Sequence, residues 1–182
     1  MVHVARRLLG AFVVLAVVAG ATLALSSRPR LQTDRRAVER DWSAVRSGLN
    51  VRYGLVDGLA KAIGAANGPP NPIVADVAAT YADWKSVSAV NPVATAISTA
   101  NRLEGFARRL SVTVTDSALL KADRAVSAAL HALQVDQVPP GVSRLNDDVS
   151  KYEKDRGGAL RRVVDGPLGF DAIPRLALGT GN

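Results

Sequence analysis

Apolar residues run without a charge or a proline from residue 8 to residue 25, as LLGAFVVLAVVAGATLAL. A run of about 18 or more such residues is long enough to cross a bilayer as a helix. Downstream the pattern changes from continuous to periodic. Over 33–66, Val38, Trp42, Val45, Leu49, Tyr53, Val56 and Ile63 fall three or four residues apart, or at the sum of the two. That spacing marks one buried face of a long helix. Thr33-Asp34 offers its start and Gly68-Pro69-Pro70 an abrupt stop. Between the apolar run and this helix, the stretch 26–30 with Pro29 reads as a short hinge. Gly48, Gly54, Gly58 and Gly64 each weaken a helix by roughly 1 kcal/mol relative to alanine, and leave room for close helix approach or a bend.

The same periodicity predicts a shorter helix over 73–87, entered at Pro72 and carrying Val77, Tyr81 and Trp84. Asn91-Pro92 marks a break, because proline pushes its predecessor out of helical geometry. A third helix follows over 93–110, with Ile97, Ala100, Leu103, Phe106 and Leu110 on one face. The β-branched polar stretch 111–115 reads as a joint. After it, Thr115 or Asp116 can cap a fourth helix, on which Leu119, Ala122, Val126, Leu130 and Leu133 repeat. Val138-Pro139-Pro140-Gly141 is the next turn.

The last helix carries Val142, Leu145, Val149, Tyr152, Arg156, Ala159 and Val163 at alternating steps of three and four. This is a coiled-coil-like seam with Arg156 as its one charged member, and Gly166-Pro167 ends it. The tail is expected to pack Phe170, Ile173 and Leu176 on the bundle and to fray from Gly179. The predicted fold is all-α, an N-terminal transmembrane helix followed by an antiparallel bundle of about four long helices. Residues 1–30 form the membrane anchor and its basic flank, 31–178 the helical bundle domain, and 179–182 a frayed tail.

Charge sharpens this picture. The net charge of +7 suggests nucleic acid at first sight, but its distribution argues otherwise. Residues 1–36 hold six arginines against one acid, whereas the remainder holds 17 basic and 15 acidic residues. The excess therefore lies beside the apolar run, where it meets anionic lipid headgroups. A nucleic-acid binder needs its basic residues clustered on the folded domain, so no nucleic-acid partner is expected.

The apolar run admits two readings. Arg6 and Arg7 precede it and small residues follow, so Ala19-Gly20-Ala21 could be a signal-peptide cleavage site. That would release an extracellular bundle. The run continues through Leu23 and Leu25 past that site, which favours an uncleaved single-pass anchor in the cell membrane. Four arginines follow the segment and two precede it, so the positive-inside rule leans toward a cytoplasmic body.

Candidate chemistry is sparse. There is no cysteine, and His3 and His131 are the two histidines. They cannot build a zinc site, and a di-iron bundle needs Glu-x-x-His pairs that do not occur. No phosphate loop, dinucleotide turn or nucleophile elbow is present. Asp147, Asp148 and Glu153 share the last helix but read as solvated acids on an amphipathic surface. No catalytic residue, cofactor, metal or small-molecule ligand is expected; a carboxylate-dependent enzyme is the least favoured alternative. Arg52 borders the apolar face of the first long helix, and Asn146 and Arg156 border or enter the last seam. With Tyr152 and Glu153 these residues are expected to form a structural polar network fixing helix register, Arg52 reaching Asn146 or Glu153.

Two stretches resemble the LemA family of membrane-anchored bacterial helical-bundle proteins. In the first, Arg52, Leu55, Val56 and Leu59 match an arginine followed by L-[IV]-x-x-L, while Asp57 stands where the family usually has proline. In the second, Asn146, Val149 and Tyr152 match Y-N-x-x-V-x-x-Y-N, with Leu145 and Glu153 in place of tyrosine and asparagine. Leu168-Gly169-Phe170 is similar to the family's closing segment. The resemblance implies a four-helix architecture, a single N-terminal span, no established activity and a protein partner at the membrane. A non-catalytic interaction or scaffold module is the function it suggests.

Overall fold

The structure, a computed structural model, describes the backbone at residues 2–67, 72–88, 92–136, 138–157 and 170–178. Side chains are described within those spans from residue 29 onward, residue 67 excepted. Among the described residues six helices form: α1 (Val2–Asn67), α2 (Pro72–Val87), α3 (Val93–Asp116), α4 (Ala118–Ala122), α5 (Arg124–Val135) and α6 (Val142–Arg156). Among the described residues there is no strand. The chain is thus all-α, a helical bundle built on one apolar core.

Helix α1 is the axis of that bundle, packing against α2, α3, α5 and α6. All seven positions expected on its inner face are buried: Val38, Trp42, Val45, Leu49, Tyr53, Val56 and Ile63. The expected hinge is absent, because α1 continues through Pro29. Proline's fixed φ of about −65° is itself helical, and the Thr33 hydroxyl donates to the Pro29 carbonyl at 2.9 Å, supporting the following turn. Among the described residues no helix is long and apolar enough to cross a membrane. The expected span at 8–25 lies outside the residues whose side chains are described, as does the frayed tail at 179–182.

The third helix is longer than expected. The stretch 111–115 is helical, not a joint, and its hydroxyls turn back on the helix instead of capping a new one. Ser111 donates to the Ala107 carbonyl, Thr113 to Arg109 and Thr115 to Ser111. Such back-bonding satisfies the side chain without breaking the backbone ladder. The break comes at Ser117, whose hydroxyl accepts from the Leu120 N–H and caps α4; Asp123 caps α5 in the same way through Ala125 and Val126. Thr115 and Asp116 cap nothing. The expected fourth helix is therefore two pieces with a different register at its start. Leu119 is exposed and Leu120 buried, while Val126 and Leu133 occupy the core as expected.

Helices α5 and α6 together act as one return leg along α1. The end of α5 reaches Arg52 through Asp136, and α6 carries on in the same direction along the 30–45 half of α1. The turn between them presses Pro139 onto Gly48, where an added Cβ would lie 2.7 Å from the proline Cβ. Gly141 starts α6 in the left-handed region at φ +95°, which its missing Cβ permits. These contacts make a paired prediction. Gly48→Val is expected to destabilise by about 1–3 kcal/mol through overpacking. Gly58→Ala, with nothing within 4 Å of the new methyl, is expected to stabilise by roughly 1 kcal/mol. Thermal melts of the two variants check the contrast.

The last helix ends earlier than its pattern suggests. Gly157 is already a turn, its N–H bonding the Glu153 carbonyl, and Ala159 and Val163 lie outside the described residues. Val142, Leu145, Val149 and Tyr152 are buried as expected. The next buried position is Asp155, not Arg156, since a 3.6-residue period takes the step of three here. Beyond it, Phe170, Ile173, Leu176 and Leu178 pack on the bundle as an extended tail.

Candidate functional site

Three polar assemblies sit on this frame. The first is centred on Arg52. Helical spacing puts Arg52 seven residues after Val45 and seven before Leu59, in a buried row, so its guanidinium must find a partner inside. It forks onto Glu104 of α3, with Nε to Oε1 at 2.7 Å and Nη2 to Oε2 at 3.1 Å. Its Nη1 reaches Asp136 at 3.4 Å. Side-chain exposure is 14% for Arg52 and 4% for Glu104, so the pair is largely desolvated. The hydrogen bond to Glu104 is the largest influence and raises the Arg52 pKa, against the opposing effect of burial. Beside it, burial and then the charge of Glu104 push the Tyr53 phenol far above its ordinary range. Ala107, Arg108, Val112, Leu133 and Val138 complete an open groove of about 460 Å³ over this cluster.

The second assembly zips α1 to α6. Arg30 pairs with Asp155, Asp34 with Lys151 at 2.8 Å, and Asp41 with Arg144 at 2.8 Å. Four residues forward on α1 match four back on α6, and the next seven match seven, the signature of an antiparallel register held by charge. Asp148 faces Asp41 within this ladder. Burial, then the charge of Asp41 and a hydrogen bond to it, hold the Asp148 carboxyl above the usual carboxylate range, with Arg144 and Arg40 opposing. A carboxyl raised in the folded state contributes stability that is complete below its unfolded pKa and is lost as pH rises through the folded value. Asp148→Asn is therefore expected to raise the melting temperature at neutral pH, with the gain vanishing below about pH 3.8. Melts between pH 3 and pH 8 measure this; a lower melting temperature at pH 7 would contradict it.

The third assembly holds the tail. Asn146 takes Leu176 from both sides, donating to its carbonyl at 2.9 Å and accepting its N–H at 2.8 Å. Tyr152 donates to the Asp171 carbonyl at 2.8 Å, and Glu153 accepts the Ile173 N–H at 2.7 Å. Arg156 leans on Glu153 at 3.0 Å. Asn101, on α3, donates to the Arg175 carbonyl and accepts the Ala177 N–H, both at 2.8 Å.

The expected single network is thus two. The structure brings Asn146, Tyr152, Glu153 and Arg156 together, but around the tail and not around Arg52. Arg52 meets Glu104 and Asp136, because α3 runs alongside α1 at that level and α6 covers the other half of α1. Sequence reasoning missed Glu104, Asp136 and Asn101. For Glu104 a signal existed: it stands seven residues after Ile97, a charge in a buried row that mirrors Arg52. Asn101 gives none, being an ordinary polar residue beside Ala100. Leu59 and Val56 are buried, and Leu55 is packed against the core. Asp57, which departs from the proline of the resembled pattern, is helical and accepts a hydrogen bond from Lys61 at 2.7 Å.

Among the described residues no three His, Asp or Glu side chains gather as a metal site. His131 is exposed on α5. The fold and these assemblies define an all-α bundle with a clamped C-terminal tail. No protein-family model, no curated protein and no solved structure matches the chain.

Proposed function

We propose that this chain is a single-pass membrane protein whose bundle serves as a non-catalytic interaction or scaffold module of the LemA type. One observation carries the reading: α1 is a single unbroken helix from Val2 to Asn67. The apolar run at 8–25 and the core row beginning at Leu31 are parts of one element. A span of that length anchors a chain in lipid, and its continuity with the core ties the bundle directly to the membrane surface. The arginines that follow the run favour a cytoplasmic body, and the partner is a protein at the same membrane.

The interior supports a structural role for the buried acids. Glu104, Asp34, Asp41, Asp57 and Asp155 each face a basic side chain. A general acid or base instead needs a carboxyl poised near the working pH and open to substrate. Alkaline carbonate extraction tests the anchor, with a Val14→Lys/Val17→Lys variant as control. The wild-type chain is expected to stay in the pellet and the variant to leave it. Release of both to the supernatant would sink the anchor. A C-terminal tag protected from protease in spheroplasts supports the cytoplasmic body; a digested tag reverses that orientation.

A further inference from the structure

The tail 170–178 bridges α3 and α6, held by hydrogen bonds to its backbone and by burial of its apolar side chains. Asn101, Asn146, Tyr152 and Glu153 make six hydrogen bonds to it, all to main-chain N–H or C=O groups. Phe170, Ile173, Leu176 and Leu178 point inward and are buried, whereas Asp171, Ala172 and Arg175 are exposed. Pro174 has no N–H to offer, and no bond of the six asks for one there. Main-chain bonds for affinity with seats for spaced apolar side chains are how proteins recognise an extended peptide.

We infer that the surface of α3 and α6 that holds the tail is a binding site for an extended peptide, and that its occupant in trans is the 170–178 segment of a second copy of this chain. The site is shaped for this sequence, with its apolar seats and its bonds all matched to it, and a second copy supplies the same segment. Twelve residues, 158–169, separate the turn at Gly157 from Phe170. They can span up to roughly 40 Å, well beyond the length of about 22 Å of α6, enough to deliver the tail to a neighbour. The contacts made in cis and in trans are identical, so the local concentration of copies sets the balance between them. This holds for a membrane-held or a released bundle alike.

Complementary full-length variants test it in detergent solution. Ile173→Asp with Leu176→Asp empties the site and leaves it intact; Asn101→Ala with Asn146→Ala cripples the site and leaves the tail free. Each alone is expected to be monomeric, and the mixture to form a one-to-one heterodimer by light scattering. A labelled peptide of residues 170–178 is expected to bind the first variant and to lose more than about tenfold in affinity for the second. Folded variants that neither associate nor take the peptide would overturn the inference.

A second measurement covers a variant that does not fold. The chain has no cysteine, so Asn101→Cys and Ala177→Cys can be placed in separate copies and co-expressed. A disulfide-linked dimer supports exchange. Its absence, while both cysteines within one copy do link, overturns it.

Discussion

Arg52→Met is expected to lower the unfolding free energy by about 3–5 kcal/mol while leaving the helical content intact. The reason is the carboxylate left behind. Glu104 is 4% exposed and takes two hydrogen bonds from Arg52. Removing one member of a buried ion pair leaves the other charge without its partner, which costs about that much. The same argument predicts rescue. Adding Glu104→Leu removes the stranded charge and is expected to recover most of the loss, since replacing both partners with apolar groups is often close to neutral. Denaturant melts of the two single variants and the double variant close the cycle. A loss under about 1 kcal/mol for Arg52→Met would mean the pair is solvated and the groove above it is wet.

Trp84→Ala is expected to cost about 3–5 kcal/mol, the range for deleting a buried aromatic ring. Trp84 is 1% exposed at the α1–α2 contact, edge-on to Tyr53 at 4.9 Å and to Trp42 at 5.9 Å. Its indole N–H donates to Asn50 at 2.9 Å, so truncation also leaves that amide without its donor. Trp42 remains as a reporter, and its fluorescence is expected to shift to the red as water reaches the vacated space. Chemical denaturation followed by far-UV circular dichroism gives the free energy. A loss below about 1.5 kcal/mol would show that the three rings do not form a close-packed unit.

These two sites differ in how far the sequence announces them. Trp84 and Tyr53 sit where helical periodicity demands apolar residues, and the row from Val38 to Ile63 on α1 was readable from it, although Leu31, Leu59 and Ala60 join the same core. So was the apolar set of the tail, because Phe170, Ile173 and Leu176 are large side chains between Gly and Pro. The partner of Arg52 was not readable. Local spacing says that a charge stands in a buried row, but which carboxylate answers it depends on how α3 runs beside α1. The polar stretch before Ser117 misled for a local reason. Hydroxyls favour caps and joints in general, yet here three of them bond back to their own helix, which runs on to Asp116. Ser117 and Asp123 were ordinary capping residues in plain view, overshadowed by that stretch. Asn101 and Asn146 act on backbone atoms far along the chain, and no side-chain pattern encodes such a target. Their pairing with the tail exists only once α3 and α6 have both packed on α1.

The membrane reading rests on α1 remaining whole from the apolar run into the core. Intact-mass determination of the chain recovered from carbonate-washed membranes tests that most directly. The account predicts the uncleaved 19.1 kDa chain in the membrane pellet. A soluble product beginning just after Ala21 would contradict it.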